Sequence, residues 1–130
     1  MTDAQKPLSL LIVDDEQDFA LTLAERLELR GFIPGVVFDG ASALERVRGG
    51  EHFDLVLLDV MLPGMSGLMV LRGMHEMRPG LPVVLLTGNT SSQDGLEGMR
   101  QGARACINKP VDLQELLSLF AEIAKENLHA

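Results

Sequence analysis

An apolar run bounded by two acids, Asp54-Leu55-Val56-Leu57-Leu58-Asp59, is the feature that most constrains how this chain folds. A short run of aliphatic residues without polar alternation is typical of a strand that is buried on both faces. The run ends at Asp59, and Pro63-Gly64 then marks a turn. A charged carboxylate is costly to bury among aliphatic side chains without compensation. We therefore expect Asp59 at the open end of the fold rather than inside it.

Strand-like and helix-like segments alternate along the whole chain. The predicted strands cover residues 8–13, 33–38, 54–59, 82–86 and 104–108. Apolar residues at helical spacing predict a helix after each strand, with candidate N-caps at Asp18, Ser66, Ser91 or Ser92, and Asp112. Pro34 and Gly35 place the second strand at a sheet edge. Gly95 and Gly98 weaken the fourth helix, which we expect to be the most mobile element.

This alternation predicts an α/β fold with right-handed crossovers. The fold class is a flavodoxin-like, doubly wound, five-stranded parallel sheet of order 2-1-3-4-5 with five helices. In that order, strands one, three and four are central, which matches the three most apolar runs. The 130 residues suit one domain, predicted over residues 8–128, after a flexible N-terminal tail of residues 1–7.

Charge and composition exclude several classes of function. The net charge of -8 argues against direct binding of nucleic acid, which needs clustered Lys and Arg. The N-terminal residues do not form a secretory signal, and no apolar run reaches the roughly 20 residues of a membrane span. We expect a cytoplasmic protein without membrane insertion. Cys106 is the single cysteine, so an internal disulfide is excluded.

Polar residues follow the predicted strands at one edge of the sheet. They are Asp14 and Asp15 after the first strand, Asp59 after the third, Thr87 after the fourth and Lys109 after the fifth. Three crowded carboxylates repel one another, and either Mg²⁺ or raised pKa values would relieve the repulsion. A carboxylate can also attack phosphorus, with an ammonium and a hydroxyl stabilising the transferred group. Read separately, the acids are turn or capping residues and Lys109 is a solvated side chain.

Taken together, these residues resemble the receiver domain of two-component response regulators, of the single-domain type. The resemblance covers residues 8 to about 128 and includes Pro63-Gly64, Gly67, Thr87-Gly88 and Lys109-Pro110. It implies Asp59 as the phosphoacceptor and Mg²⁺ as the cofactor. It further implies Asp15 and Asp59 as direct metal ligands, Asp14 as a ligand through water, and the Met61 backbone carbonyl as the remaining protein ligand. Thr87 and Lys109 would contact the phosphoryl group, and the Lys109-Pro110 peptide would be cis.

The resemblance also implies partners and a mode of signalling. A sensor histidine kinase or a histidine phosphotransfer protein would donate the phosphoryl group, and the chain would catalyse only its own modification. The predicted last helix runs nearly to Ala130, so we expect no effector domain and a downstream protein partner. That partner would read the fourth helix, the fifth strand and the fifth helix. Cys106 occupies the switch position where the family commonly carries Tyr or Phe, so the usual aromatic rotation is expected to be absent or replaced.

The sequence leaves open three alternatives to a phosphorylated receiver domain. A phosphatase of the haloacid dehalogenase class also uses an Asp nucleophile, but it expects a second Asp two residues later, where this chain has Met61. A degenerate receiver would act as an interaction module without phosphorylation, although the acids are all present. A flavodoxin-like carrier would lack its usual stacking residues, because the chain has no Trp and no Tyr.

Overall fold

A computed structural model describes residues 7–89 and 92–128. The predicted tail of residues 1–7 lies outside this part of the chain except for Pro7. The strands are β1 (Ser9–Val13), β2 (Ile33–Val37), β3 (Leu55–Asp59), β4 (Val83–Thr87) and β5 (Ala105–Asn108). The helices are α1 (Gln17–Glu28), α2 (Gly40–Arg48), α3 (Gly67–Met77), α4 (Gln93–Arg100) and α5 (Leu113–Leu128).

The five strands form one parallel sheet in the order β2-β1-β3-β4-β5, as predicted. Every residue of β3 and β4 is buried, because each of these strands has a neighbour on both sides and helices over both faces. β2, which contains Pro34 and Gly35, lies at one edge, and only its last residue, Val37, is fully buried. The predicted α/β fold and its strand order are confirmed.

Alternate residues of the central strands supply two separate cores. One core lies under α1 and α5, and the other lies under α2 and α3. The first includes Leu10, Ile12, Leu55, Leu57, Val84, Leu86, Leu27, Leu116, Phe120 and Ile123. The second includes Leu11, Val13, Val56, Leu58, Val83, Leu85, Val47, Val70, Leu71 and Met74. Since both faces are covered, the open part of the sheet is the edge where the strands end.

Side-chain caps begin several of the helices. Ser66 Oγ accepts a hydrogen bond from the Met69 amide, and Ser92 Oγ accepts one from the Gly95 amide. Asp112 Oδ1 accepts from the first turn of α5. The predictions for Ser66, Ser92 and Asp112 are confirmed, while the alternative cap Ser91 lies outside the described residues.

The predicted N-cap Asp18 is wrong. α1 begins at Gln17, so Asp18 lies inside its first turn, where a carboxylate still interacts favourably with the helix dipole. Glu16 occupies the cap position, and its side chain makes no capping bond. The physical reason lies one turn earlier, because Asp14 Oδ1 accepts a 2.9 Å hydrogen bond from the Glu16 amide and starts the turn itself.

Glycines bring two helices unusually close to the sheet. A Cβ at Gly67 would collide with the Asp59 carbonyl oxygen and lie 2.7 Å from Val60 Cα, so only glycine lets α3 begin against the end of β3. A Cβ at Gly98 would collide with the Leu85 side chain of β4. The glycines of α4 therefore have a packing role in addition to their low helix propensity, and the predicted mobility of α4 stays a prediction.

None of the helices in the described ranges is long and apolar enough to cross a membrane.

The Gly67 contact predicts a position-specific loss of stability. Gly67→Ala should lower the free energy of unfolding by about 1–3 kcal/mol, because rigid backbone atoms of Asp59 and Val60 must move to admit the methyl group. Gly80→Ala is the matched control, since nothing lies within 4 Å of a Cβ there. That variant should stay within about 0.5 kcal/mol of wild type. Urea unfolding measures both, and equal stability of the two variants would refute the close approach of α3.

Candidate functional site

Two buried carboxylates meet where the central strands end. Asp14 directly follows β1 and Asp59 ends β3, and because β1 and β3 are parallel neighbours the two side chains emerge together. Asp14 is fully buried and Asp59 is 5% exposed, whereas the adjacent Asp15 is exposed. One carboxylate oxygen from each of these three residues lies within 4.8 Å of the other two. The structure thus brings together the three acids that the sequence placed at this edge.

Lys109 reaches this acidic cluster from the end of β5. Its Nζ lies 2.6 Å from Glu16 Oε1, 2.8 Å from Asp14 Oδ2 and 3.3 Å from Asp59 Oδ2. The Lys109 side chain is 18% exposed, so the ammonium is largely withdrawn from solvent. The peptide between Lys109 and Pro110 is cis, as the resemblance implied. Lys109 is therefore the cation that faces the buried acids.

α1 supplies two contacts to Lys109 that the sequence did not predict. The Glu16 carboxylate makes the shortest of the three ion pairs, and the Phe19 ring centroid lies 4.7 Å from Nζ, within the range of a cation–π interaction. Glu16 could have been found, since it is the third acid of the run that begins with Asp14. Nothing in the spacing of Phe19 distinguishes it from an ordinary core residue of an amphipathic helix.

The pKa shifts follow from this arrangement. Burial raises the pKa of Asp59 to about 6; the Met61 amide opposes the rise, the Asp14 carboxylate adds to it, and the Lys109 ammonium also opposes it. For Lys109, burial alone lowers the pKa, but the bonds to Asp14 and Glu16 and the charge of Asp59 together hold it above its ordinary value. Lys109 is thus charged at neutral pH, and its positive charge offsets only part of the negative charge of the buried carboxylates.

The cluster has the donor atoms of a divalent cation site. Asp14 Oδ2 is buried and makes a 2.8 Å ion pair with Lys109 Nζ, and Asp14 Oδ1 accepts a hydrogen bond from the Glu16 amide. Asp59 Oδ1 accepts a 3.0 Å bond from the Met61 amide, and Met61 lies in the loop after β3. Carboxylate oxygens with unused lone pairs, crowded together, suit a hard divalent ion. Asp14, Asp15 and Asp59 could therefore hold a metal.

Thr87 ends β4 next to this cluster and is 5% exposed. Its hydroxyl accepts a 3.2 Å bond from the Asn89 amide and donates to the Asn89 carbonyl at 3.3 Å. Its own carbonyl accepts a 2.7 Å bond from the Lys109 amide. The Thr87 hydroxyl is thus engaged in its own turn, while the backbone joins Thr87 directly to Lys109.

Cys106 lies on the edge strand β5 beside Leu85 and packs against the core under α3. The thiol is only half-buried because β5 has no neighbouring strand on its outer side. Burial raises the pKa of the Cys106 thiol, which makes it less reactive. The structure therefore places the predicted switch position at the border between the core and the surface of α4 and β5.

Comparison with known proteins gives the family. The model of the response regulator receiver domain matches residues 10–121. The chain is 43% identical over 118 residues to the sensory transduction protein RegX3 of Mycolicibacterium smegmatis, covering 90% of this chain and 50% of RegX3. The chain spans about half the length of the curated relatives it matches.

Solved structures agree with this match. A CheY-like response regulator receiver domain protein from Methanospirillum hungatei superposes with a TM-score of 0.86 at 31% identity, covering 92% of this chain and 95% of that one. A response regulator from Burkholderia pseudomallei, solved with a phosphorylated aspartic acid, a calcium ion and citrate, has a TM-score of 0.80 at 28% identity, covering 94% of this chain and 71% of that one. The chain belongs to the response regulator receiver domain family of two-component signal transduction.

Proposed function

We propose that this receiver domain is a phosphorylation switch in which Asp59 accepts a phosphoryl group from a phosphohistidine. The observation that carries the proposal is the position of Lys109 Nζ, 3.3 Å from Asp59 inside a cluster of three acids. A nucleophilic carboxylate needs a positioned cation to offset the charge that the transfer brings in. Asp59 and Lys109 supply these two parts.

The transfer breaks the N–P bond of the donor and forms an O–P bond to an Asp59 oxygen. Asp59 must be ionised to attack, and its pKa of about 6 leaves most of it ionised at neutral pH. The Met61 amide holds one carboxylate oxygen in place. The Thr87 hydroxyl leaves its turn to bond the phosphoryl group, and Lys109 bonds another phosphoryl oxygen. The donor is a sensor histidine kinase or a histidine phosphotransfer protein.

The acidic cluster is proposed to bind Mg²⁺. Asp15 and Asp59 would be direct ligands, Asp14 would act through water, and the Met61 carbonyl would complete the protein ligands. The crowding of three carboxylates, two of them buried, and the raised Asp59 pKa both support a cation here. When bound, Mg²⁺ would neutralise carboxylate and phosphoryl charge. The Burkholderia response regulator, which was solved with a phosphorylated aspartic acid and a calcium ion, supports the same chemistry.

The signal is proposed to leave through α4, β5 and α5, toward a downstream protein partner. Lys109 and Thr87 are joined by a backbone hydrogen bond, so a new charge on Asp59 pulls on the ends of β4 and β5 together. Leu96 and Met99 of α4 are 57% and 44% exposed and offer apolar contact area. With Cys106 in place of an aromatic ring, the change would travel through the backbone of α4 and β5. A cytoplasmic location remains a prediction.

Phosphorylation is tested by intact mass. Incubation with acetyl phosphate and Mg²⁺ should add one phosphoryl group, about 80 Da, to the wild type. Asp59→Asn should show no adduct, because the amide is not a nucleophile. Asp39→Asn is a matched control, since Asp39 caps α2 and is not one of the three clustered acids, so the adduct should stay intact. Absence of an adduct on the wild type with every donor would refute the proposal and favour a degenerate receiver.

Metal binding should depend on pH through Asp59. Only the ionised carboxylate binds a cation, and the pKa of about 6 makes Asp59 mostly ionised at about pH 7.5 and mostly protonated at about pH 5. Mg²⁺ at ten times its Kd should raise the Tm by about 4 °C at the higher pH and much less at the lower pH. Thermal unfolding with and without Mg²⁺ measures this gain.

Two variants distinguish Mg²⁺ binding at Asp59 from a gain in Tm that comes only from screening of the acidic surface. Asp59→Asn should lose most of the gain in Tm, whereas Glu25→Gln, which removes an exposed acid of α1, should keep it. A gain of equal size at both pH values, or one that persists in Asp59→Asn, would contradict the assigned metal site.

Activation should move the segment around α4. Beryllofluoride, a phosphoryl mimic, should shift the amide NMR resonances of residues 87–89, 92–102 and 105–108 more than those of α2, because Thr87 and Lys109 both turn toward Asp59. Asp59→Asn should show none of these changes. Shifts confined to the immediate neighbours of Asp59 would count against transmission through α4 and β5.

A further inference from the structure

We infer that Glu16 is a positioning residue that holds Lys109 in the unphosphorylated protein and thereby sets how fast Asp59 gains and loses a phosphoryl group. This inference rests on the proposed function of Asp59. It concerns an exposed residue whose side chain caps no helix, so its contact with Lys109 needs another explanation.

The hydrogen-bond donors of Lys109 are all engaged in the unphosphorylated protein. An ammonium has three N–H donors, and three carboxylates surround Nζ at 2.6 Å, 2.8 Å and 3.3 Å. The shortest contact is to Glu16, and the longest is to the phosphoacceptor Asp59. A phosphoryl oxygen can be bonded by Lys109 only if one of these contacts is given up. The length of the Asp59 contact shows that the ammonium is drawn away from Asp59 in the unphosphorylated protein.

The three carboxylates around Lys109 differ in how readily they release the ammonium. Asp14 is fully buried, so its ion pair cannot be replaced by water. The Glu16 side chain is 64% exposed, and an ion pair with an exposed carboxylate is readily broken because water solvates the released group. Glu16 is therefore the partner that Lys109 can leave when phosphate arrives.

The Lys109 ammonium has little freedom to move. The backbone of Lys109 is held by the bond from its amide to the Thr87 carbonyl, and the Phe19 ring lies 4.7 Å from Nζ on the α1 side. These contacts restrict the side chain to a short arc between α1 and β3. Within that arc Glu16 attracts Nζ from one end and Asp59 attracts it from the other. Removal of the Glu16 contact should shift Nζ toward Asp59.

Glu16 variants should therefore be phosphorylated faster and should keep the phosphoryl group longer. With acetyl phosphate and Mg²⁺, Glu16→Gln should gain the adduct about 2- to 5-fold faster and lose it about 2- to 5-fold more slowly, the range expected for a partly exposed ion pair. Glu16→Asp keeps the charge but is one methylene too short to reach Lys109, so it should resemble Glu16→Gln rather than wild type.

Asp18→Asn is the matched control for charge. Asp18 is an exposed acid in the first turn of α1, and the described contacts of Lys109 do not include it. The Asp18→Asn variant removes the same charge from the same helix end. It therefore measures how far a less negative surface, by itself, speeds the reaction with an anionic phosphodonor. Asp18→Asn should keep wild-type rates within about 2-fold.

A readout independent of phosphorylation is the ¹⁵N resonance of the Lys109 ammonium in the protein without metal or donor. This resonance should move in Glu16→Gln and Glu16→Asp and stay in Asp18→Asn. If the wild type takes no phosphoryl group, the proposed function fails. If the wild type is phosphorylated but the Glu16 variants keep its rates and its Lys109 resonance, or if Asp18→Asn reproduces their rates, only the role of Glu16 is refuted.

Discussion

The ion pairs between Lys109 and the acids at the end of the sheet are the interaction on which the site depends. Asp14 and Asp59 are buried carboxylates, and burial of two like charges side by side would be severely unfavourable without a cation. Lys109 offsets part of that cost, and the raised pKa of Asp59 shows that the compensation is incomplete. Because of this residual negative charge, the cluster could hold a divalent cation.

The parallel sheet limits the energetic cost of such a cluster, because it restricts the buried charges to one edge. β1, β3 and β4 are covered by helices on both faces, so aliphatic residues fill both cores and polar groups emerge only where the strands end. Gly67 lets α3 begin directly against the backbone of Asp59. The backbone bond between Lys109 and Thr87 then ties the cation to the neighbouring strand. The Lys109–Asp59 ion pair and the Lys109–Thr87 backbone bond therefore connect Asp59 to the ends of β4 and β5.

Most of the fold was predictable because its signals are local. The apolar runs that became β3 and β4, the Pro34-Gly35 pair at the edge strand, and the caps at Ser66 and Ser92 each act over a few residues. The N-cap of α1 was mispredicted because its position depends on where β1 ends and not on the local sequence of the helix. Asp18 has the right chemistry for a cap, but Asp14, held at the end of β1, had already started the turn.

The sequence by itself determined the fold class, the strand order and which acids and which lysine would reach one edge, because periodicity, strand ends and crossover handedness follow from local chemistry. Only the tertiary structure decided how Lys109 divides its contacts. Glu16, Phe19 and Asp59 are distant from it in the chain, and the approach of Glu16 and Phe19 depends on how α1 packs over β1 and β2. It also decided that Asp14 is buried and Asp15 exposed, although the two are adjacent, since successive residues at a strand end point in different directions.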